Sequence, residues 1–340
     1  MIKQMGLRKN LLYILSILFF FGVNIVFILY EFNKLYFSNA ALIFALIIII
    51  LSLPKKVSSQ DEQKTPSELI YALPKQRYEE ELKMAKRVQE GLLNIDTPKI
   101  PGIKIVKKCI PAESIGGDFY SFISQDFTTI SPKEKTKGIV EYYDKEDSHL
   151  GIVLGDVAGH GVSSALIMAL SSGILTEMGK RFQSPEKILV QANTHISKYI
   201  ENSQITHVTV FYGILNTDTF KFTFSKAGHP SPIILKKDNS TIELDTKGLF
   251  LGLFKSANLE EKEVQLENGD RLFFYTDGLT DTQSPTGELY GTERLKKIIK
   301  EYKETTIDQT LTSIFEDIDQ FSNYKKASDD RSMVILEVGT

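Results

Sequence analysis

Two long apolar runs at the amino-terminal end divide the chain into a part suited to lipid and a part suited to water. The first run, Leu11 to Tyr30, carries no charged residue, and the second, Leu35 to Leu53, follows after only Glu31 to Lys34. Each run has about the twenty residues that a helix needs to cross the hydrocarbon core of a bilayer. The pattern predicts a transmembrane helical hairpin over residues 1–54, with helices at about 11–30 and 35–53.

Basic residues on both flanks of the hairpin set its expected orientation. Lys3, Arg8 and Lys9 precede it, and Lys55 and Lys56 follow it. The positive-inside rule places both flanks in the cytoplasm. A cleaved signal peptide is the alternative for the first run, but no small-residue cleavage site follows it and a second apolar run comes at once. We therefore expect a multi-pass protein of the cytoplasmic membrane whose remaining residues are cytoplasmic.

A polar segment and a helix-forming segment follow the hairpin. Residues 55–73 are typical of a short linker. Residues 74–96 are rich in helix formers and begin at Pro74, which the first turn of a helix accepts, so they predict a linker helix. One face of the predicted helix forms a stripe of residues spaced alternately four and three apart: Tyr78, Leu82, Ala85, Gln89 and Leu92. The stripe is too short to decide between packing on the helix's own domain and the seam of a parallel homodimer.

From residue 97 to 340, strand-like and helix-like patterns alternate in mixed order without internal repeats. The β-rich runs are "HLGIVLGDV", "THVTVFYGIL", "TFKFTFSKA", "DRLFFYTD" and "RSMVILEV". Helical periodicity covers Val162 to Lys180, Pro185 to Glu201, Thr292 to Tyr302 and Ile307 to Phe321. These patterns predict an α/β (α+β) domain whose sheets carry helices on their faces. The polar stretch Gln125 to Ser148 indicates a surface insertion, which is either mobile or functional.

Composition excludes several classes of function. The net charge is only −3 and no basic block is interleaved with aromatic residues, so nothing indicates nucleic-acid binding. The Gly-rich turns fit neither a dinucleotide fingerprint nor a P-loop, which argues against NAD or ATP. The single cysteine, Cys109, cannot form an internal disulfide, as suits a reducing cytoplasm, and we expect it to be buried.

Acidic residues fall at predicted strand ends or in Gly-rich turns far apart in the sequence. They are Asp118 in "IGGDFY", Asp156 in "LGDVAGHG", Asp277 in "FYTDGLTD" and the pair Asp329–Asp330 in "SDDRS". Each motif alone is weak, because an Asp after Gly is commonly a turn residue or a helix cap. Gathered together, such carboxylates would need cations, and oxygen ligands suit Mg²⁺ or Mn²⁺. Two such ions can acidify a water and brace a phosphoryl displacement.

Seven motifs stand in an order that resembles the SpoIIE-like (RsbU-like) branch of the PPM metal-dependent serine/threonine protein phosphatases. They are "PAESIGGDFY", "GDVAGHGVSSALIMA", "TVFYGIL", "AGHPSPIIL", "GLFLGL", "GDRLFFYTDGLTD" and "SDDRSMVIL". The resemblance covers Glu90 to Val338. It implies a PPM-type αββα sandwich over residues 97–340, two catalytic Mn²⁺ or Mg²⁺ ions, and hydrolysis of phosphoserine or phosphothreonine by a metal-bridging water without a covalent intermediate.

The resemblance also implies a set of catalytic metal ligands. Asp156 matches the bridging carboxylate, Asp118 and the backbone carbonyl of Val157 match ligands of one metal, and Asp277 and Asp329 match ligands of the other. Asp330 competes with Asp329 for the last of these roles.

Departures from the family pattern limit what can be transferred. Ser121 stands where the family commonly has a further acidic residue, and Phe250 replaces the usual proline of its motif. An acid–base role for His160 or His229 is conceivable. The general-acid histidine of the broader family lies two residues after the bridging Asp, where this chain has Ala158. We therefore expect hydrogen-bonding, structural roles for both histidines.

Substrate and partners follow only from the resemblance, which implies a phosphorylated STAS-type anti-sigma-factor antagonist or a similar partner-switching protein. It also implies that the 74–96 helix takes part in switching. One alternative is a non-catalytic membrane signalling module with a phosphatase-like fold. Another is a hydrolase of small phosphoesters, for which the only candidate lid is the 125–148 insertion.

Overall fold

The computed structural model describes residues 66–93, 96–128, 131–132, 142–143, 146–201, 203 and 205–339. The predicted transmembrane hairpin lies outside the described residues. The described helices are α1 Pro66–Leu93, α2 Val162–Arg181, α3 Pro185–Ile200, α4 Asp277–Thr280, α5 Gly291–Glu301 and α6 Ile307–Phe321. The described strands are β1 Ile103–Ile110, β2 Phe119–Thr128, β3 Ser131–Pro132, β4 Tyr142–Tyr143, β5 Glu146–Val157, β6 Val208–Asn216, β7 Lys221–Ala227, β8 Ile233–Leu235, β9 Thr241–Glu243, β10 Glu261–Gln265, β11 Arg271–Tyr275 and β12 Arg331–Val338.

Two five-stranded antiparallel sheets form the centre of the domain. One has the order β1-β12-β11-β8-β9 and the other β10-β7-β6-β5-β2. Apolar side chains from both sheets, among them Leu154, Phe211 and Phe274, form one buried cluster between them. A second cluster lies under α2 and α3, and a third under α5 and α6. The layers are therefore helix, sheet, sheet, helix, which confirms the predicted αββα sandwich.

Burial on both faces explains why the central strands are apolar throughout. In β6 every residue from Val208 to Leu215 is buried, because helices cover one face and the other sheet covers the opposite face. Among the described residues, one helix, α2, is long and apolar enough to cross a membrane. Its Met168 and Leu175 belong to the buried cluster beneath it, so α2 is a core helix of the sandwich.

Helix α1 begins at Pro66, not at the predicted Pro74. Both prolines suit a first helical turn, so the sequence did not distinguish the two starts. Near its carboxyl end, Gln89 is buried and Leu93 packs against two of the buried clusters, whereas Met84, Val88 and Leu92 are exposed. Gln89 of the predicted stripe therefore contacts the helix's own domain, whereas Leu92, the last residue of that stripe, is exposed together with Met84 and Val88.

The ends of the predicted 125–148 insertion are strands, and the short pair β3–β4 lies within it. Residue Phe119 of β2 pairs with Gly155 of β5, and Thr128 pairs with Glu146. Because a strand rises about 3.3 Å per residue, the Thr128–Glu146 end is about 30 Å from the Phe119–Gly155 end.

Candidate functional site

All the acidic residues singled out in the sequence lie at one end of the sandwich. Asp118 directly precedes β2 and Asp156 lies near the end of β5, which runs antiparallel to β2. Asp277 follows β11, and Asp329 and Asp330 precede its antiparallel partner β12. Antiparallel pairing brings the start of one strand beside the end of the next, so residues distant in the sequence meet at one edge.

Asp118, which is buried, and Asp156, which is partly buried, form the inner part of this cluster. Burial first, and the charge of Asp156 second, raise the pKa of Asp118 well above its ordinary range. Burial, followed by the charges of Asp277, Asp329 and Asp330, raises the pKa of Asp156 to about 8. The protein therefore holds these carboxylates where they cannot all ionise unless positive charge joins them.

Asp277 and Asp329 form the more open part. The pKa of each is raised, chiefly by burial, and the charge of Asp329 adds to the effect on Asp277. Asp281, in the same "DGLTD" motif as Asp277, raises the pKa of both groups further. Sequence reasoning did not single out Asp281, although it lies four residues after Asp277, one helical turn away.

Asp330 has a different environment from Asp329. It is 3% exposed, whereas Asp329 is exposed. Its carboxylate accepts hydrogen bonds from the backbone N–H groups of Ala112 at 2.7 Å, Gly117 at 2.5 Å and Asp118 at 3.4 Å. Asp330 thus holds the loop that carries Asp118.

Glycine is required in that loop because Asp330 approaches it closely. A Cβ on Gly116 would lie 2.0 Å from a carboxylate oxygen of Asp330. A Cβ on Gly117 would lie 2.7 Å from the Val157 carbonyl oxygen and 3.3 Å from Asp156 Oδ1. The missing side chain of Gly117 leaves room in front of these two oxygens.

The donors fit a hard divalent cation in chemistry. Carboxylate and carbonyl oxygens are the ligands that Mg²⁺ and Mn²⁺ prefer. Within the described residues, no three acidic, histidine or cysteine side chains stand close enough together to enclose an ion by themselves. Ions at this edge would therefore need the Val157 carbonyl and several waters as well, and Mg²⁺ commonly keeps several of its waters.

The buried hydroxyl group of Thr276 holds the Asp118 carboxylate from the interior of the sandwich. Thr276 Oγ1 donates a hydrogen bond to Asp118 Oδ2 at 2.8 Å and accepts one from the Ser332 backbone N–H at 3.0 Å. Cys109 lies nearby, and burial first, then the charge of Asp118, raises the pKa of its thiol to about 12. The raised pKa keeps the Cys109 thiol protonated and unreactive. Cys109 is partly buried against the cluster between the sheets, so the prediction of full burial was wrong.

The two histidines of the motifs occupy different places. His160 is at the rim: its side chain is 69% exposed, and Nδ1 lies 3.2 Å from Glu113 Oε1. His229 is 1% exposed, and its Nδ1 lies 2.8 Å from Thr209 Oγ1. A group as enclosed as His229 cannot reach a substrate.

A buried glutamine links helix α1 to the site. Gln89 Nε2 donates a hydrogen bond to the Gly116 carbonyl at 2.7 Å, and the Gly116 N–H donates to Gln89 Oε1 at 3.0 Å. Gly116 belongs to the loop that Asp330 holds from the other side. Two hydrogen bonds therefore join the helix at Gln89 to the loop that carries Asp118.

Comparison with known proteins places these features in a family. A family model described as Stage II sporulation protein E (SpoIIE) matches residues 146–339, more than half of the chain. The phosphoserine phosphatase RsbU of Bacillus subtilis is 26% identical over 262 residues, which are 77% of this chain and 71% of RsbU. The phosphoserine phosphatase RsbP of the same organism is 25% identical over 200 residues, 58% of this chain and 48% of RsbP.

A solved structure supports the fold. The SiaA-PP2C domain of Pseudomonas aeruginosa superimposes with a TM-score of 0.62 at 18% identity, covering 78% of this chain and 99% of that domain. The two antiparallel sheets and flanking helices described above are therefore those of the PP2C fold.

Proposed function

The chain belongs to the SpoIIE family and is a PPM-type serine/threonine protein phosphatase, and from this premise we propose that strand-end carboxylates hold two divalent cations for hydrolysis of phosphoserine or phosphothreonine on a partner protein. One observation carries the proposal. Carboxylates from four separate segments share one edge of the sandwich, and burial and mutual repulsion raise the pKa values of Asp118, Asp156, Asp277 and Asp329. Such a cluster is costly unless cations bind there.

The roles we propose follow the family resemblance, with waters completing each site because the described side chains alone enclose no ion. Asp118, Asp156 and the Val157 carbonyl would hold one Mn²⁺ or Mg²⁺ ion, and Asp156, Asp277 and Asp329 the other. The hydrogen bonds that Asp330 accepts from three backbone N–H groups support Asp329 as the ligand in its place. When bound, the ions would supply positive charge at the phosphate and lower the pKa of the attacking water.

This chain's own residues would orient and shield the reaction. Thr276 fixes the carboxylate of Asp118 by its hydrogen bond, and Asp330 and Gln89 fix the loop behind it. His160 and Glu113 stand at the rim, where an incoming phosphoprotein would pass. These groups are held in place before any substrate arrives, which is what efficient positioning requires.

A protein substrate is favoured over a small phosphoester by the position of the insertion. The Thr128–Glu146 end of β2 and β5 lies about 30 Å along the strands from the carboxylates, by the strand rise. The described ends of the insertion therefore lie at the end of the sheet opposite to the carboxylates. We propose a phosphorylated STAS-type partner-switching protein as the substrate, as the family resemblance implies.

Membrane attachment and dimerisation complete the proposal. The two apolar runs of residues 1–54 would anchor the chain as a multi-pass protein with its catalytic domain in the cytoplasm. Met84, Val88 and Leu92 lie on an exposed face of α1 at i, i+4 and i+8, apart from Gln89. We propose this face as a homodimer seam within the 74–96 helix. Met84→Glu with Val88→Glu should then convert a dimer to a monomer in analytical ultracentrifugation.

Catalysis is tested on the purified full-length chain in detergent. We expect it to release phosphate from a phosphoserine peptide with Mn²⁺ and to stop with EDTA. Asp156→Asn or Asp277→Asn should lower turnover by several orders of magnitude while the melting profile stays cooperative. A folded parent with no turnover in Mn²⁺ would favour the non-catalytic signalling module. Faster turnover of small phosphate esters than of the peptide would favour a hydrolase of small phosphoesters.

A further inference from the structure

A layer of buried polar side chains lies between the two sheets, directly beneath the carboxylate cluster. Its members are Thr209, His229, Thr276 and Ser332, each buried. The rest of the space between the sheets is filled by apolar side chains. Burying a polar group costs free energy unless it is hydrogen-bonded, so such a layer needs a physical reason.

Thr276 shows what one member of the layer does. Its hydroxyl donates to Asp118 Oδ2 at 2.8 Å, and its oxygen accepts the Ser332 N–H at 3.0 Å. The hydroxyl is thereby fixed at both sides, and it fixes the carboxylate in turn.

Thr209 lies beside Asp156 on the neighbouring strand. The two are direct cross-strand partners in the pairing of β5 with β6. Leu154 and Phe211, two residues along each strand, both belong to the cluster between the sheets, so Asp156 and Thr209 share that face. Directly opposed residues of an antiparallel pair have Cβ atoms about 4.5–5.5 Å apart. The side chains of Thr209 and Asp156 therefore leave neighbouring positions on the same face, and the Thr209 hydroxyl is hydrogen-bonded to His229.

His229 holds Thr209 from the far side. Its Nδ1 lies 2.8 Å from Thr209 Oγ1 in a fully buried contact. The histidine is itself secured, because Lys226 Nζ donates to its backbone carbonyl at 3.3 Å and pairs with Asp245 at 2.8 Å. Burial first, and the charge of Lys226 second, lower the pKa of His229 to about 3, whereas the Tyr275 backbone acts in the opposite direction. The ring is thus neutral at physiological pH.

We propose that Thr209 and His229 are positioning residues for Asp156, with His229 fixing the Thr209 rotamer and Thr209 fixing the carboxylate in the orientation that binds a divalent cation. This inference rests on the proposed metal role of Asp156. Partners that orient a metal ligand from behind are typically worth about 10- to 100-fold in metal affinity. Asp156 would then have a threonine partner, as Asp118 has in Thr276.

The test measures Mn²⁺ binding by titration calorimetry on the full-length chain in detergent, with phosphopeptide turnover at saturating Mn²⁺ as a second readout. Thr209→Val keeps the shape and removes the hydroxyl, and Thr209→Ser restores it. His229→Ala removes the ring, and His229→Asn keeps a polar group near the Nδ1 position. Ser225→Ala is the matched control, since Ser225 is a buried hydroxyl of the same sheet with no hydrogen bond within the described residues.

We expect Thr209→Val and His229→Ala to weaken Mn²⁺ binding about tenfold or more, with Thr209→Ser and His229→Asn recovering most of it and Ser225→Ala matching the parent. Equal Mn²⁺ affinity in parent, Thr209→Val and Thr209→Ser would overturn the positioning role while leaving the phosphatase proposal intact. A parent that binds no Mn²⁺ would overturn both. If Thr209→Val does not fold, the comparison of His229→Ala with His229→Asn decides.

Discussion

At the scale of single residues, Asp329 and Asp330 are chain neighbours with opposite environments. Asp330 is buried and accepts hydrogen bonds from three backbone N–H groups, whereas Asp329 is exposed beside Asp277. Both residues lie in the turn before β12, and only Asp330 is directed towards the Asp118 loop. Asp330 therefore holds the loop that carries Asp118, and Asp329 is available to bind a cation.

The two aspartates should respond differently to substitution. Asp330→Ala leaves buried N–H groups without an acceptor and should lower the free energy of unfolding by about 1–3 kcal/mol. Asp329→Ala should change it by less than about 0.5 kcal/mol, as an exposed site. We expect Asp329→Ala to lower the turnover rate with Mn²⁺ by more than about 100-fold, because loss of a residue that merely hydrogen-bonds to a metal ligand can cost up to about 100-fold. Chemical denaturation and phosphopeptide assays measure both, and a reversed pattern would make Asp330 the ligand.

The buried neutral His229 predicts a specific acid sensitivity. Its pKa is lowered from 6.5 to about 3 in the folded state, so between these values the unfolded chain binds a proton that the folded chain does not. The free energy of unfolding should therefore fall as pH is lowered from about 6.5 towards 3, by at most about 1.4 kcal/mol per pH unit. His229→Asn should flatten this slope in denaturation curves measured across the range. Parallel slopes in parent and variant would show that other groups cause the acid loss.

The carboxylates could be predicted from the sequence because strand ends and Gly-rich turns can be recognised in a single segment. Sequence reasoning did not reach Thr209 or Thr276, because an isolated threonine in a strand is an ordinary β residue until the register shows what lies opposite it. For the same reason it left Asp329 and Asp330 unresolved. The register that decides both cases is a property of paired strands, which no single segment contains.

At the scale of elements, the long buried strands and the amphipathic helices were predictable, and their boundaries less so. The 3.6-residue period of α3 and α6 and their caps at Ser184 and Thr306 are local signals. The start of α1 at Pro66 and the strand ends of the 125–148 insertion were missed. The helix start depends on how far the helix continues into a polar segment, and the strand ends depend on how far β2 and β5 stay paired. Composition reveals neither.

Helix α1 is the element through which we expect the site to be controlled, because Gln89 joins it to Gly116 of the Asp118 loop. Two packings of this helix need differ by only a few kcal/mol to shift an on/off population. Leu82→Asp, on the partly buried side, and Leu92→Asp, on the exposed stripe, should each shift the Mn²⁺ concentration that gives half-maximal activity.

Lys83→Asp is the control for this prediction, since it changes charge at an exposed position of the same helix outside both stripes. Its Mn²⁺ titration should match the parent's. If Leu82→Asp and Leu92→Asp stay folded and also match the parent, in detergent and in membranes, then the helix acts only as a tether.

At the scale of the whole molecule, the alternation of strands and helices predicted sheets with helices on their faces, and the family resemblance implied the four layers. Strands buried on both faces require cover on both faces, and two sheets with helices outside are one of the few arrangements that provide it. The strand order could not be predicted in the same way. It depends on which edges pair, and β12, the last described strand, lies between β1 and β11 and not at an edge of its sheet.

The last prediction concerns the membrane, and it depends on residues 1–54, which lie outside the described part of the structure. The flanks Lys3 to Lys9 and Lys55 to Lys56 are basic, whereas the turn Glu31 to Lys34 between the apolar runs is short and nearly neutral in charge. Basic flanks are retained in the cytoplasm, so both ends of the hairpin should lie inside. A reporter that is active only in the cytoplasm should be on when fused after Thr340, and a reporter that requires export should be on when inserted after Asn33. The opposite pattern would place the catalytic domain outside the cell, where cytoplasmic phosphoproteins could not reach it.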